Sequence, residues 1–198
     1  MSFEQSIGFL VFSLVAAVTP GPSNVLLAAT GAVVGVPRGL PCLAGVALGM
    51  GLLIFSVALG LGQVILGHAA ILPVLNWLGA AFLLWMAWTI ATAGAASAAV
   101  QKKPAGFTKA ALFQWVNPKS WLVSTAAAGA YLHGNADSAL LQASWLALLF
   151  VAAALPCGLV WLAFGALMHR LLRSARAARI FNIVMGVSLA ASVGFILW

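Results

Sequence analysis

The sequence predicts an all-α integral membrane protein with six transmembrane helices, arranged as two inverted three-helix repeats in which helices one and four are broken. Three observations support this prediction. Of the 198 residues, 64% are hydrophobic and only 6% are charged, whereas a soluble domain carries about 25% charged residues. Six apolar runs are long enough to cross a bilayer. Helix-breaking residues interrupt the first and the fourth of these runs.

The six apolar runs define the predicted spans. We place them at Ile7–Thr30, Leu40–Leu66, Leu72–Ala93, Ala110–Leu132, Leu140–Met168 and Ile180–Trp198. The chain is too short to carry a soluble domain as well, so we expect one membrane domain over residues 1–198, with half-repeats at about 1–98 and 105–198. No Lys or Arg precedes the first run, which favours a retained span over a cleaved signal peptide.

The basic residues of the loops predict the orientation, because they occur only in alternate loops. These residues are Arg38, then Lys102, Lys103 and Lys109, then Arg170, Arg173, Arg176 and Arg179. Under the positive-inside rule these three loops are cytoplasmic and both termini are outside. Spans one to three then begin outside and spans four to six begin inside, an inverted plan that recurs in alternating-access carriers. The net positive charge is therefore interpreted as a topology signal, and no nucleic-acid partner is expected.

The first break lies inside the first apolar run. It consists of Pro20, Gly21, Pro22, Ser23 and Asn24. The two prolines remove backbone donors, and the glycine between them is free to adopt positive φ. We expect Ser23 and Asn24 to act as N-caps of a half-helix through Val25–Thr30. Its N–H groups would carry partial positive charge into a cavity and attract a carboxylate. The alternative is a proline kink that only improves packing.

The second break lies inside the fourth apolar run and contains a lysine. Asn117 is placed to cap a half-helix that begins at Pro118. Lys119 follows within apolar sequence, where a cation is costly unless it is paired or hydrated. It either binds an anionic group of a substrate or donates to carbonyls freed by the breaks, and snorkelling to the inner surface is the alternative. Gln114, one turn earlier, either lines the same cavity or bonds to a neighbouring backbone group.

Matching breaks in the two halves predict a transport site near the middle of the membrane. Backbone groups freed by a proline persist in hydrocarbon only where they face protein or a wet cavity. An amino group of the solute would need acceptors, such as the freed carbonyl of Ala16. The predicted substrate path consists of Pro20, Gly21, Pro22, Ser23, Asn24, Gln114, Asn117, Pro118 and Lys119.

Catalysis, cofactors and metals are not expected. The sequence contains no Ser-His-Asp arrangement, metal-ligand spacing, glycine-rich phosphate loop or paired carboxylates. The acidic residues are Glu4 and Asp137, both predicted near the outer surface. Their scarcity argues against substrates with two positive charges and against divalent metals. Gly45 and Gly49 form a G-x-x-x-G pair, which predicts a close contact between helices.

These residues resemble the LysE/RhtB family of bacterial amino-acid exporters. In the first half the similarity includes Thr19-Pro20-Gly21-Pro22 and then Gly31, Gly35, Gly39 and Gly45. In the second half it includes the segment from Phe107 to Asn117-Pro118-Lys119. The resemblance implies an inner-membrane exporter of amino acids or similar small zwitterionic or anionic metabolites, driven by the proton gradient. Glu4 and His68 are the titratable candidates near the outer face, and facilitated diffusion stays open because no acidic residue lies at mid-membrane.

A membrane thiol-disulfide relay of the DsbD/CcdA type is the alternative function. Cys42 and Cys157 motivate it, because each follows a proline within an apolar run. The two cysteines do not occupy equivalent places in the two halves, and both lie outside the breaks. The expected partners are a small-molecule substrate and the lipid bilayer, and a homodimer stays open. The sequence does not identify the solute.

Overall fold

Every regular element in the described part of the chain is helical, which confirms the all-α prediction. The computed structural model describes residues 1–61, 71–92, 105–132, 139–171 and 174–197. The predicted loop residues His68, Lys102, Lys103, His133, Asp137 and Arg173 lie outside them. The helices are α1 (Phe3–Val18), α2 (Pro22–Ser56), α3 (Ile71–Thr92), α4 (Phe107–Val116), α5 (Pro118–Tyr131), α6 (Ala139–Leu171) and α7 (Ala175–Leu197). A π-helical turn, Val57–Leu61, extends α2.

The two breaks fall where the sequence predicts them. Helix α1 ends and α2 begins around the first, and α4 ends and α5 begins around the second. In both, proline opens the new helix at a position where its missing N–H costs no helical bond. Helix α1 has 16 residues, α4 has 10 and α5 has 14. Because a helix rises about 1.5 Å per residue, helices of these lengths beside the breaks place each break well inside its apolar run.

Helix α2 reverses direction at Gly35, whose dihedrals (φ 75°, ψ 176°) are not helical. Thr30 and Cys42 lie 12 positions apart on either side, yet Thr30 Oγ1 and Cys42 Sγ are 3.6 Å apart. A straight helix would separate these residues by about 18 Å. Glycine adopts this positive φ without a steric penalty. The two arms of α2, residues 22–34 and 36–56, therefore form a helical hairpin, and the longer loop expected between Thr30 and Leu40 is wrong.

The first arm of α2 crosses α6 at backbone contact. A Cβ atom added to Gly31 would overlap the carbonyl oxygen of Leu162, and one added to Gly165 would overlap that of Ala28. Because each helix contributes a glycine to the crossing, the two backbones approach more closely than side chains would allow. This contact fixes α6 against the half-helix that follows the first break.

The second arm of α2 packs equally closely against α4. A Cβ atom on Gly45 would overlap the carbonyl oxygen of Phe107, and one on Gly49 would lie 2.7 Å from the Cα of Ala111. The close helix contact predicted from the G-x-x-x-G pair is confirmed. Helix α4 is thus held beside α2, and the residues that precede the second break are held with it.

Helices α3 and α7 pack against each other. Among the described residues, two helical stretches are long and apolar enough to cross a membrane, Pro22–Gly60 and Ala139–Met168, each with a mean hydropathy of 2.4. Helix α1 is also apolar but shorter. All six predicted spans overlap helices of the structure; the inverted arrangement of two repeats stays a prediction.

Two apolar clusters lie at different levels of α2 and α6. We call the first cluster A, formed by Phe9, Ala47, Met50, Ile54, Ala127, Leu146, Phe150 and Ala154. The second, cluster B, is formed by Leu27, Cys42, Leu43, Val46, Ala110 and Leu162. Along α6 the chain passes from Leu146 in cluster A to Leu162 in cluster B. Between these two positions lie the residues of α6 that face the candidate site.

Candidate functional site

The two breaks meet through hydrogen bonds between side chains. Asn117 Nδ2 donates to Ser23 Oγ at 3.0 Å, and the Ser23 hydroxyl donates to Gln114 Oε1 at 2.9 Å. The Ser120 hydroxyl donates to the same Gln114 oxygen at 3.0 Å. These residues come from positions more than 90 apart in the chain. Residues of α2, α4 and α5 are therefore joined in one polar network.

Gln114 is the centre of this network. Its side chain is 1% exposed, and Nε2 donates to the carbonyl oxygen of Ala110 at 3.0 Å. The sequence left open whether Gln114 lines a cavity or bonds to a backbone group, and the structure places it in both situations. A buried amide with all of these partners fixes the orientation of its neighbours, since any rearrangement would leave polar atoms unpaired.

The carboxyl end of α1 is held by residues of both breaks. Asn24 Nδ2 donates to the carbonyl oxygens of Thr19 at 2.8 Å and Ala17 at 3.1 Å. Lys119 Nζ donates to the carbonyl oxygens of Thr19 at 2.6 Å and Pro20 at 3.4 Å. Of the roles considered for Lys119, the structure therefore records donation to freed carbonyls. The ammonium group lies where the partial negative charge of a helix end is concentrated.

The prediction that Ser23 and Asn24 cap α2 is wrong. The N-cap is Gly21, which has no side-chain capping bond, and proline follows it in the first helical position. Ser23 and Asn24 lie in the first turn, so their side chains are free to bond across the site. The matching prediction for the second break is confirmed, because Asn117 Oδ1 accepts from the backbone N–H of Lys119 at 3.1 Å.

The backbone N–H groups of Ser23 and Asn24 have no protein acceptor among the described residues. In α5, by contrast, the N–H groups of Lys119 and Ser120 both bond to Asn117. Only the first break therefore presents an uncapped helix N-terminus. Such an end attracts anions through its N–H groups and its partial positive charge.

Acceptors lie close to these donors. The donors of Asn24 are both engaged with carbonyls, which fixes its amide orientation. Among the described residues, none donates a hydrogen bond to its Oδ1 atom. The carbonyl of Ala16 lacks its usual helical donor, because the residue four positions later is Pro20. The first break thus offers donors for an anionic group and acceptors for a cationic group side by side.

A cavity of about 60 Å³ lies where the breaks meet. This volume is sufficient for a few water molecules or a small organic group. Polar lining comes from Ser23, Asn24, Gln114, Asn117, Lys119 and Ser120, and apolar lining comes from Ala16, Ala17, Leu27, Val46, Met50, Val123, Phe150 and Ala154, together with Gly21 and Gly158. A Cβ atom at Gly21 would lie 2.9 Å from Cδ of Lys119. Glycine at position 21 therefore makes room for the lysine.

Six of the nine residues of the predicted path line this cavity: Gly21, Ser23, Asn24, Gln114, Asn117 and Lys119. Pro20, Pro22 and Pro118 instead shape the backbone around it. Sequence reasoning did not assign Ser120 to the site, although it belongs to the second break. It also missed the wall formed by α6 at Phe150, Ala154 and Gly158. No local sequence signal distinguishes these three positions from other apolar positions of α6.

The two cysteines are free thiols in different surroundings. Cys42 is buried in cluster B beside Thr30. The Sγ atom of Cys157 lies 3.9 Å from the carbonyl oxygen of Leu14 in α1. Neither residue lines the cavity. Within the described ranges, His, Cys, Asp and Glu side chains form no group of three or more that would hold a metal ion.

Comparison with known proteins identifies the family. Residues 14–197 match the family described as LysE type translocator. The cysteine/O-acetylserine efflux protein of Salmonella paratyphi A is 39% identical over 114 residues, which are 56% of this chain and 57% of that protein. Its namesake in Klebsiella pneumoniae is 38% identical over 112 residues with the same coverage. The one in Escherichia coli O157:H7 is 29% identical over 185 residues, 91% of each chain.

The chain spans 57% of the length of the Salmonella and Klebsiella relatives in these alignments. No solved structure matches it. The family match covers nearly the whole sequence and includes both breaks. The chain belongs to the LysE-type translocator family.

Proposed function

We propose that this protein exports small amino acids such as cysteine and O-acetylserine across the bacterial inner membrane by alternating access. Relatives carry the name of cysteine/O-acetylserine efflux proteins, and the family is one of translocators rather than enzymes. The observation that carries the proposal is the meeting of two broken helices around one cavity lined by six polar side chains. Such meeting points are where carriers bind their substrates.

The first break suits a zwitterion. The substrate carboxylate would accept from the free backbone N–H groups of Ser23 and Asn24, with Lys119 as counter-charge. The substrate ammonium would donate to the oxygen atoms at the carboxyl end of α1. Both charged groups of an amino acid would thereby be satisfied at the first break, with Lys119 contributed by the second.

The wall of α2 and α6 favours a small, uncharged side chain. Val46 and Met50 on α2 and Phe150 and Ala154 on α6 line the cavity opposite the polar groups. Among the described residues, no carboxylate lines it, so a second positive charge on the substrate would have no partner. A thiol or an acetyl ester is compatible with this apolar wall.

Clusters A and B are candidates for the two gates. They lie on either side of the cavity along α2 and α6, so opening one while the other stays packed would expose the site to one surface at a time.

Packing of α1 against α6 and of α2 against α4 supports two inverted repeats, because each pair joins the broken span of one half to the second span of the other. The proposal retains both termini outside.

Proton coupling is assigned to Lys119 in this proposal. It is the titratable side chain that lines the cavity in the described part of the chain. Glu4 lies exposed in the first turn of α1 and does not line the cavity.

Profiling of the growth medium tests the exporter proposal. Cells that produce the protein should accumulate more extracellular cysteine and O-acetylserine than matched cells without it. The Lys109→Gln variant is the control for expression, because Lys109 is exposed at the start of α4 and away from the cavity. Equal amounts of every amino acid in the two media would contradict the proposal.

A further inference from the structure

The ammonium group of Lys119 occupies a place that suits the ammonium group of a substrate. Its Nζ atom lies 2.6 Å from the carbonyl oxygen of Thr19 and 3.4 Å from that of Pro20. Thr19 is the last residue before the first break and Pro20 is the first residue within it, and Pro20 and Pro22 lack the backbone N–H group that could serve as a donor here. A lysine from the second break thus supplies the cation at this helix end.

A zwitterion that enters the cavity needs both the Lys119 ammonium group and the carbonyl oxygens that this group now contacts. Its carboxylate requires a positive charge, and within the described lining Lys119 is the residue that carries one. Its ammonium requires oxygen acceptors, and the negatively polarised end of α1 is the strongest cluster of them beside the cavity. Lys119 cannot serve the carboxylate fully while its own charge is neutralised by these carbonyls.

We infer that the substrate's ammonium group replaces the Lys119 ammonium group at the carbonyl oxygens of Thr19 and Pro20. The released lysine then pairs with the substrate's carboxylate. One cation leaves the helix end and another arrives, so the buried oxygens stay paired throughout. The inference rests on the proposed function and adds a selectivity rule to it, because a ligand must carry both charges to complete the exchange.

The rule separates three classes of ligand. An amine without a carboxylate would displace Lys119 and leave its charge unpaired in the cavity, which is unfavourable. A carboxylate without an amine would leave Lys119 bound to the carbonyls. Its attraction to the lysine charge would then be only partial, because the carbonyls already neutralise much of that charge. Removal of the lysine charge reverses the first case, since the vacated carbonyls then accept a simple amine without competition.

Ligand binding to the purified protein in detergent tests this exchange. The probes are L-cysteine, cysteamine and 3-mercaptopropionate, which share a thiol and differ in their charged groups. Charge-assisted hydrogen bonds are strong enough to change affinity by about tenfold or more. We expect the unmodified protein to bind L-cysteine at least about tenfold more tightly than either other probe. In Lys119→Met, cysteamine should bind about tenfold more tightly than it does to the unmodified protein, and L-cysteine should bind more weakly.

The results separate the exchange from the proposed function. Absence of L-cysteine and O-acetylserine binding to the unmodified protein would overturn the proposed function. L-Cysteine binding with an unchanged cysteamine affinity in Lys119→Met would overturn the exchange alone. Should Lys119→Met fail to fold, the unmodified protein still decides, because 3-mercaptopropionate or cysteamine binding as tightly as L-cysteine would contradict the requirement for both charges.

Discussion

Gln114→Met should lower export of the proposed substrates by at least about tenfold and lower the stability of the protein. Gln114 Oε1 accepts from the hydroxyls of Ser23 and Ser120, one from each break. Methionine has a similar volume and no comparable acceptor, so the O–H groups of Ser23 and Ser120 would both lose their acceptor, and the Ser120 hydroxyl is buried. Each unpaired buried group costs about 1–3 kcal/mol. Export should also fall by at least about tenfold, because the polar groups of the cavity lose their orientation and a loss of about 1.4 kcal/mol in substrate binding is a tenfold loss of affinity.

A double-mutant cycle identifies the cause of this loss. Addition of Ser120→Ala to Gln114→Met removes the buried hydroxyl that has lost its acceptor, so thermal unfolding in detergent should return towards that of the unmodified protein. Export should stay low, because the polar site is gone. An unfolding temperature and export rate unchanged in Gln114→Met would contradict the role of this network.

Gly165→Ala should strongly destabilise the protein. The added Cβ would overlap the carbonyl oxygen of Ala28, which belongs to the backbone and cannot move aside. Separation of the two helices would cost about 1–3 kcal/mol, the usual effect of overpacking. It would also displace the wall at Gly158, which lies two helical turns earlier on α6.

Gly129→Ala is the matched control. A Cβ atom at Gly129 would meet no heavy atom within 4 Å among the described residues, and alanine favours a helix by about 1 kcal/mol over glycine. Thermal unfolding of the two variants in the same detergent should therefore change in opposite directions. Equal unfolding temperatures for Gly165→Ala and Gly129→Ala would contradict the backbone contact between α2 and α6.

Both breaks could be predicted from sequence because their cause is local. Proline lacks an N–H group and is favoured in the first turn of a helix, so Pro20, Pro22 and Pro118, each beside a glycine or an asparagine, predict that one helix ends there and another begins. The predicted cap at Asn117 follows from its place immediately before Pro118. The same rule applied to Pro22 gives Gly21 as the N-cap, which the structure has. The incorrect caps at Ser23 and Asn24 came from residue preference taken without this positional rule.

The partners across the site could not be predicted, because they depend on tertiary packing. Ser23 and Gln114 are 91 positions apart, and Asn24 bonds backwards to carbonyls that only the bend at Pro20 exposes. The tight turn at Gly35 was expected as a longer loop, since hydrophobicity alone does not reveal that both arms continue as helix to one glycine. The apolar wall of α6 could not be predicted for the same reason, because it depends on the crossing of α6 and α2.

Protection of single cysteines by ligand tests most directly whether the two breaks form one substrate site. Ser23→Cys and Ser120→Cys are each introduced into a protein with Cys42→Ala and Cys157→Ala, and labelling by N-ethylmaleimide is followed with and without O-acetylserine at neutral pH. We expect O-acetylserine to slow labelling at both positions and to leave the exposed control Lys109→Cys unchanged. Protection at neither position, or at only one of them, would contradict a shared site.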